Sequence, residues 1–158
     1  MIAAVLTVSD SASAGTRDDL SGPAVKQLLQ QNQFIVETGD IVPDEQAAIE
    51  AAIRRLAASA ALVVTTGGTG IAARDVTPEA TRAVCTRLVE GIAERMRSEG
   101  TKKTPLAALS RGVCGICGTT LVINLPGSPR AAVESLQAIM ELLPHALELL
   151  QGNTRHAD

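Results

Sequence analysis

Apolar β-branched runs alternate along this chain with segments whose apolar residues recur every three or four positions. Ile2–Val8 is a continuous apolar run and predicts a buried first strand, followed by a helix over residues 22–31 and a strand over 34–42. Ile49, Ile53 and Leu56 fall at helical spacing and predict a helix over 44–58, with Pro43-Asp44 as its punctuation. Residues 60–65 read as a third strand, 78–86 as a helix, 89–97 as a further helix interrupted at Gly91, and 119–124 as a fourth strand. Val133, Leu136, Met140, Leu143, Leu147 and Leu150 step in threes and fours through one last helix, where Pro144 removes an N–H and predicts a kink. Strands separated by helices imply an α/β fold, with a mostly parallel sheet covered on both faces. No internal repeat, low-complexity tract or linker is visible. Residues 1–152 read as a single domain, with 153–158 as a mobile tail.

In a parallel sheet the ligand crevice lies at the carboxyl ends of the strands, so the residues that follow each strand carry the functional information. The first strand is followed by Ser9-Asp10-Ser11, the second by Pro43-Asp44-Glu45, and the fourth by Leu125-Pro126-Gly127-Ser128-Pro129. The third leads into Thr66-Gly67-Gly68-Thr69-Gly70 and on to Arg74-Asp75-Val76-Thr77-Pro78-Glu79. Glycines let backbone N–H groups turn toward a ligand without a Cβ in the way. Thr65, Thr66 and Thr69 add hydroxyl donors, and Asp75 supplies a hard carboxylate suited to Mg²⁺. Thr77-Pro78-Glu79 reads as an N-cap, a proline at the first helical position and an acidic first turn. The layout is that of an anion site at the end of a buried strand, and it points to a phosphorylated ligand. Two better-known phosphate loops are excluded. No Lys follows the glycines, as a P-loop needs, and the helix starts too late for the dinucleotide fingerprint that 68–73 formally matches.

Composition narrows the field. The 158 residues carry 14 Lys plus Arg against 17 Asp plus Glu, a net charge of −3, and Phe34 is the only aromatic side chain. Neither a basic footprint nor a stacking platform for nucleic acid is present. No apolar run approaches the ~18 residues of a membrane span, so no membrane partner is expected. Ala12-Ser13-Ala14 mimics a signal-peptidase site, but no Lys or Arg precedes the short apolar run, and a cytoplasmic protein is expected. Cys114-Gly115-Ile116-Cys117 leads into a strand rather than a helix and has no second pair of ligands at metal spacing, so these residues read as strand or turn positions. His145 reads as a surface or packing residue, and His156 falls in the tail.

The ordered set of Thr7-Val8-Ser9-Asp10-Ser11, Asp19-x-Ser21-Gly22-Pro23, Val42-Pro43-Asp44-Glu45, the 66–70 loop, the 74–81 segment, Leu109-Ser110-Arg111 and Ile123-Asn124-Leu125-Pro126-Gly127-Ser128 resembles the molybdopterin adenylyltransferase family. That family includes stand-alone bacterial enzymes and domains of gephyrin and of the plant molybdenum-cofactor protein. The resemblance spans residues 4 to about 150. It implies a three-layer α/β/α sandwich assembled as a homotrimer. The implied enzyme transfers AMP from ATP to the terminal phosphate of molybdopterin with Mg²⁺, releases pyrophosphate and hands its product to a molybdenum insertase. On that resemblance Asp44 and Asp75 are the catalytic, metal-positioning carboxylates. Ser9, Asp10, Thr66, Gly67, Gly68, Thr69, Gly70, Thr77, Ser110, Arg111, Thr119, Pro126, Gly127 and Ser128 are the substrate-binding set. Two positions depart from the family pattern. Gly100 stands where relatives carry a serine, with Thr101 next to it. Cys117 stands where an arginine is common, leaving Lys102, Lys103 and Arg111 as alternative cations. The competence-damage family shares a Thr-Gly-Gly-x-Gly loop but reads differently around Asp-x-Thr-Pro. A non-catalytic pterin- or nucleotide-binding homologue is the alternative function, and the retention of both Asp44 and Asp75 favours the enzyme.

Overall fold

A computed structural model describes residues 1–37 and 39–152; the expected tail at 153–158, with His156, lies outside the described residues. In chain order the elements are β1 (Ile2–Val8), α1 (Asp10–Ser13), α2 (Ser21–Gln31), β2 (Ile35–Val36), β3 (Asp40–Val42), α3 (Gln46–Ala57), β4 (Leu62–Thr66), α4 (Thr77–Val84), β5 (Arg87–Leu88), α5 (Glu90–Thr101), β6 (Cys114–Cys117), β7 (Thr120–Leu125), α6 (Pro129–Gln137) and α7 (Leu143–Leu150). One sheet runs β2–β1–β4–β7–β6–β5, and β3 also pairs with β1. β1, β2, β3, β4 and β7 are mutually parallel, while β6 and β5 add an antiparallel margin.

Side-chain alternation sorts the strands into two cores. Ala3, Val5, Leu62, Val64, Leu121 and Ile123 face Val25, Leu29, Met96, Leu136, Leu143 and Leu147 of α2, α5, α6 and α7. Ala4, Leu6, Val8, Val63 and Val122 face Ile49, Ile53, Leu56, Ala80 and Val84 of α3 and α4. Helices therefore cover both faces, in three layers. The only aromatic, Phe34, joins the first core.

Three sequence expectations are corrected. The strand expected over 34–42 is two short strands, because its register against β1 slips by one residue between Ala3↔Val36 and Leu6↔Asp40. Gly39 lies there so close to the chain that a Cβ would sit 2.8 Å from the Val5 carbonyl. The single last helix is two, separated by a 3₁₀ turn at Met140–Leu142. Pro144 lacks the N–H that a continuing helix would use, so it sits in the first turn of α7, where no N–H is needed. Gly91 interrupts nothing: it is an exposed residue in the first turn of α5, and that helix runs on to Thr101. The antiparallel strand β5 and the 3₁₀ turn Pro105–Leu109 are elements beyond those expected, while Cys114–Cys117, expected as strand or turn positions, forms the strand β6.

Since β1, β3, β4 and β7 run the same way, the segments beginning at Ser9, Pro43, Gly67 and Pro126 emerge at one edge. Ser9 N–H donates to the Val42 carbonyl at 2.9 Å, and Gly67 N–H donates to the Leu125 carbonyl at 3.1 Å.

Candidate functional site

The turn after β4 is shaped by two glycines in the left-handed region, Gly67 (φ +92°) and Gly68 (φ +65°), which an L side chain enters only with strain. Thr77 locks this turn. Its Oγ1 donates to the Gly67 carbonyl at 2.9 Å, and its N–H donates to the Gly68 carbonyl at 3.1 Å. Thr77 is thus the first residue of α4 rather than its cap, which is Val76, and its hydroxyl serves the loop rather than a ligand. With these carbonyls engaged, the amides of Gly68, Thr69 and Gly70 donate to no acceptor among the described residues. Three successive unpaired N–H groups at a strand end form an anion-receptive nest.

Arg111 holds the rest of the loop from behind. Its N–H donates to the Thr69 carbonyl at 2.8 Å, Nε to the Gly70 carbonyl at 2.7 Å and Nη2 to the Asp75 carbonyl at 2.6 Å, while Nη1 pairs with Glu79. That hydrogen bond holds the Glu79 carboxyl below its ordinary range. These contacts brace the loop, while the Arg111 side chain stays 38% exposed. Thr65 and Thr66 are corrected, because both are fully buried. Thr65 Oγ1 accepts from Asn124 Nδ2 at 3.0 Å, and Thr66 Oγ1 lies 2.9 Å from Ser21 Oγ. Asn124, a buried polar residue in a mostly apolar strand, also donates to Thr81 Oγ1 at 2.9 Å and accepts from Val113 N–H at 3.2 Å. It fastens β7 to β4 and α4 directly beneath the site.

The two carboxylates stand on either side of the glycine turn. Asp75 Oδ2 accepts from Ala72 N–H at 2.9 Å, and Asp44 Oδ2 accepts from Asp10 N–H at 2.9 Å. Neither Oδ1 accepts a hydrogen bond among the described residues. Asp44 Oδ1 reaches over Gly68, 3.2 Å from where a Cβ would stand, and Asp75 Oδ2 would lie 2.8 Å from a Cβ on Gly70. Desolvation pushes the Asp44 carboxyl above its usual range, with the charges of Asp10 and Asp75 adding to the rise. No cluster of three or more His, Cys, Asp or Glu suited to a metal exists among the described residues. A pair of hard carboxylate oxygens suits a Mg²⁺ ion that takes its remaining ligands from phosphate and water.

A cavity of about 740 Å³ opens onto this edge. It is bounded by Gly68, Thr69, Gly70, Asp75, Ser110, Pro126, Gly127 and Ser128 on one side and by residues of α5, α6 and the Pro105–Leu109 turn on the other. The Ser128 hydroxyl caps α6, accepting from Ala131 N–H at 3.2 Å. Gly127 packs tightly, since a Cβ there would be 3.3 Å from Gly67 Cα. Ser9, Asp10 and Asp44 belong to the adjoining loops rather than the cavity wall, and the Ser9 hydroxyl caps α1 by accepting from Ala12 N–H at 3.2 Å. Thr119 does not join the site: it lies in the β6–β7 hairpin at the opposite edge, about 20 Å along β7.

Cys117 is at that far edge too, paired with Thr120, so the residue at this position does not face the cavity. Lys103 does line it, 3.2 Å from Glu134, whereas Lys102 pairs with Glu99. Gly100 lies where a Cβ would be 2.9 Å from Ala107 Cβ. Arg97 and Asn124 line the cavity as well, and neither was singled out from sequence. Cys114 and Cys117 belong to opposite cores of the sheet, as positions three apart on a strand must, so they form no redox pair. Burial pushes the Cys85 thiol to about 11 and that of Cys114 to about 12.

Residues 4–145 match the family described as probable molybdopterin binding domain. The chain belongs to that family. It is 42% identical over 156 residues to the molybdopterin adenylyltransferase of Helicobacter pylori strain J99, an alignment covering 94% of this chain and 87% of that protein. It is 44% identical over 149 residues to the molybdenum cofactor synthesis protein cinnamon of Drosophila melanogaster, of which it spans only 25%. Among solved structures, the molybdopterin biosynthesis enzyme MoaB of Thermus thermophilus superposes with a TM-score of 0.90 at 48% identity, covering 96% of both chains.

Proposed function

We propose that this protein is a molybdopterin adenylyltransferase acting in molybdenum cofactor biosynthesis, with residues 1–152 as its single domain. The observation that carries the reading is the nest of unpaired amides at Gly68, Thr69 and Gly70 between two carboxylates that each keep an uncommitted oxygen. The enzyme-class names of full-length relatives at about 40% identity support it. In the proposed reaction a terminal phosphate oxygen of molybdopterin attacks the α-phosphorus of ATP, the α–β phosphoanhydride bond breaks and pyrophosphate leaves. Such transfer needs positioning and charge neutralisation rather than a covalent protein intermediate. Bound Mg²⁺ would neutralise charge on the phosphates, held by Asp44 and Asp75. The amides of residues 68–70 would cradle a phosphate. Ser110, Pro126, Gly127 and Ser128 would shape the cavity around the nucleotide and pterin, and Lys103 and Arg97 would supply its positive charge.

Incubation with molybdopterin, ATP and Mg²⁺ should yield adenylated molybdopterin and one pyrophosphate per turnover. Tight binding of both ligands without pyrophosphate would identify a carrier instead. The uncommitted carboxylate pair favours the enzyme, because a carrier has no use for a metal-organising pair. The proposal extends to a cytoplasmic homotrimer that delivers its product to a molybdenum insertase. Among the described residues no helix is long and apolar enough to cross a membrane. Exposed Ile71, Leu106 and Leu109 supply apolar surface for assembly. Light scattering should return three times the monomer mass, and a monomer would refute the trimer.

A further inference from the structure

Asp10 is held by other protein groups. Its Oδ1 accepts from Arg74 Nη2 at 2.7 Å and from the Asp44 amide at 3.0 Å, while its Oδ2 accepts from Arg74 Nε at 2.9 Å. In return the Asp10 amide donates to Asp44 Oδ2. Four hydrogen bonds thereby join the segments that follow β1, β3 and β4, and Arg74 is the immediate neighbour of Asp75. The Arg74 and Asp10 side chains are 61% and 46% exposed. An ion pair that open adds little to folding stability. It does fix geometry: Asp44 lies in the short segment between the three-residue strand β3 and α3, and the Asp10 amide pins one of its oxygens so that the other is turned over Gly68.

We infer that Arg74 and Asp10 are positioning residues that set the placement of the Asp44 carboxylate relative to Asp75, and so the affinity of the pair for Mg²⁺ on a bound nucleotide. The inference rests on the proposed role of those two carboxylates. Arg74 ties the Asp75 loop to Asp10, and Asp10 orients Asp44 through both its side chain and its amide. In this role neither residue contacts the ligand directly. The fork of Arg74 spans both Asp10 oxygens, a geometry that a lysine ammonium does not reproduce.

The test is calorimetric titration of wild-type and Arg74→Gln protein with a non-hydrolysable ATP analogue, in Mg²⁺ and in EDTA. The variant should lose about tenfold in affinity with Mg²⁺, the scale of removing a partner that orients a metal ligand. Without Mg²⁺ it should bind like wild type, and its melting temperature should be unchanged. Arg74→Lys should restore part of the loss. An equal loss in EDTA would mean that Arg74 grips phosphate directly, and an unchanged Mg²⁺ affinity would make the pair a surface contact. Either result overturns the inference. If the wild type itself shows no Mg²⁺-dependent binding, the proposed function fails, and amide exchange on ligand-free protein still decides the positioning role. Arg74→Gln should speed exchange at the Asp44 amide and leave the Gly67 amide protected. Unaltered exchange at Asp44 would refute it.

Discussion

Replacing Gly68 by alanine places a methyl group against the Thr77 hydroxyl while requiring φ near +65°. The left-handed backbone costs an L residue about 1–2 kcal/mol. The Thr77 side chain has no room to yield, because the residue is fully buried and Oγ1 is committed to the Gly67 carbonyl. Breaking that hydrogen bond and leaving buried partners unsatisfied adds about 1–3 kcal/mol. A total of about 2–5 kcal/mol is a large part of the stability of an ordinary domain. For a chain of this size it lowers the melting temperature by roughly 10 °C. Gly70→Ala is the control. Its φ is not positive, and its one close neighbour is the carboxylate tip of Asp75, 2.8 Å from the new Cβ. It should fold with a loss under about 1 kcal/mol, yet weaken nucleotide binding by displacing that carboxylate. Thermal and urea melts of both variants, beside a nucleotide titration, separate the two. A Gly68→Ala protein that melts with the wild type would refute the steric argument. So would a loss no smaller in a Thr77→Ala background, where the obstructing hydroxyl is gone.

Asp44→Asn and Asp75→Asn should each cut adenylyl transfer by about a hundredfold, the scale of removing one electrostatic group from a reacting site. Because desolvation disfavours the charged form of Asp44, Asp44→Asn should leave the ligand-free melting temperature unchanged or raised; a clear fall would contradict this. The Glu79 carboxyl is depressed below the ordinary 4.5 by Arg111. Its contribution is therefore complete above that value and is lost as pH falls through the lower folded value. The pair is partly exposed, so the effect should be under about 1 kcal/mol. The urea midpoints of wild type and Glu79→Gln should converge on acidification, and a gap unchanged at about pH 3 would refute it.

The site was legible where chemistry follows a strand end. Asp44, the 67–70 turn, Asp75 and residues 126–128 were placed at one edge because four apolar runs each end in polar or glycine-rich sequence, and parallel strands bring such ends together. Aim was harder to read than position. Thr65 and Thr66 look like ligand donors in a list of hydroxyls, but strand parity turns them into the layers, where Asn124 and Ser21 meet them. Thr77 has the composition of a cap, yet a turn ten residues earlier in the chain claims its hydroxyl. Arg111 resembles an anion ligand by type alone, and only the structure shows its side chain also bracing the loop through two carbonyls and Glu79. Thr119 was carried over by motif position alone, and the antiparallel hairpin moves it to the far edge. Two-residue strands such as β5 leave no periodicity to detect.

The margins of the sheet have a consequence for behaviour in concentrated solution. On one side the outermost strands are β2 and β3, of two and three residues with a register slip between them; on the other it is β5, with two. The long apolar ladders of β1, β4 and β7 are all interior. Among the described residues, a neighbouring molecule thus finds no extended row of unpaired amides and carbonyls on which to lay a strand, the usual route to fibrillar growth. Contact between copies through the described residues would then run through side-chain surfaces rather than backbone templating.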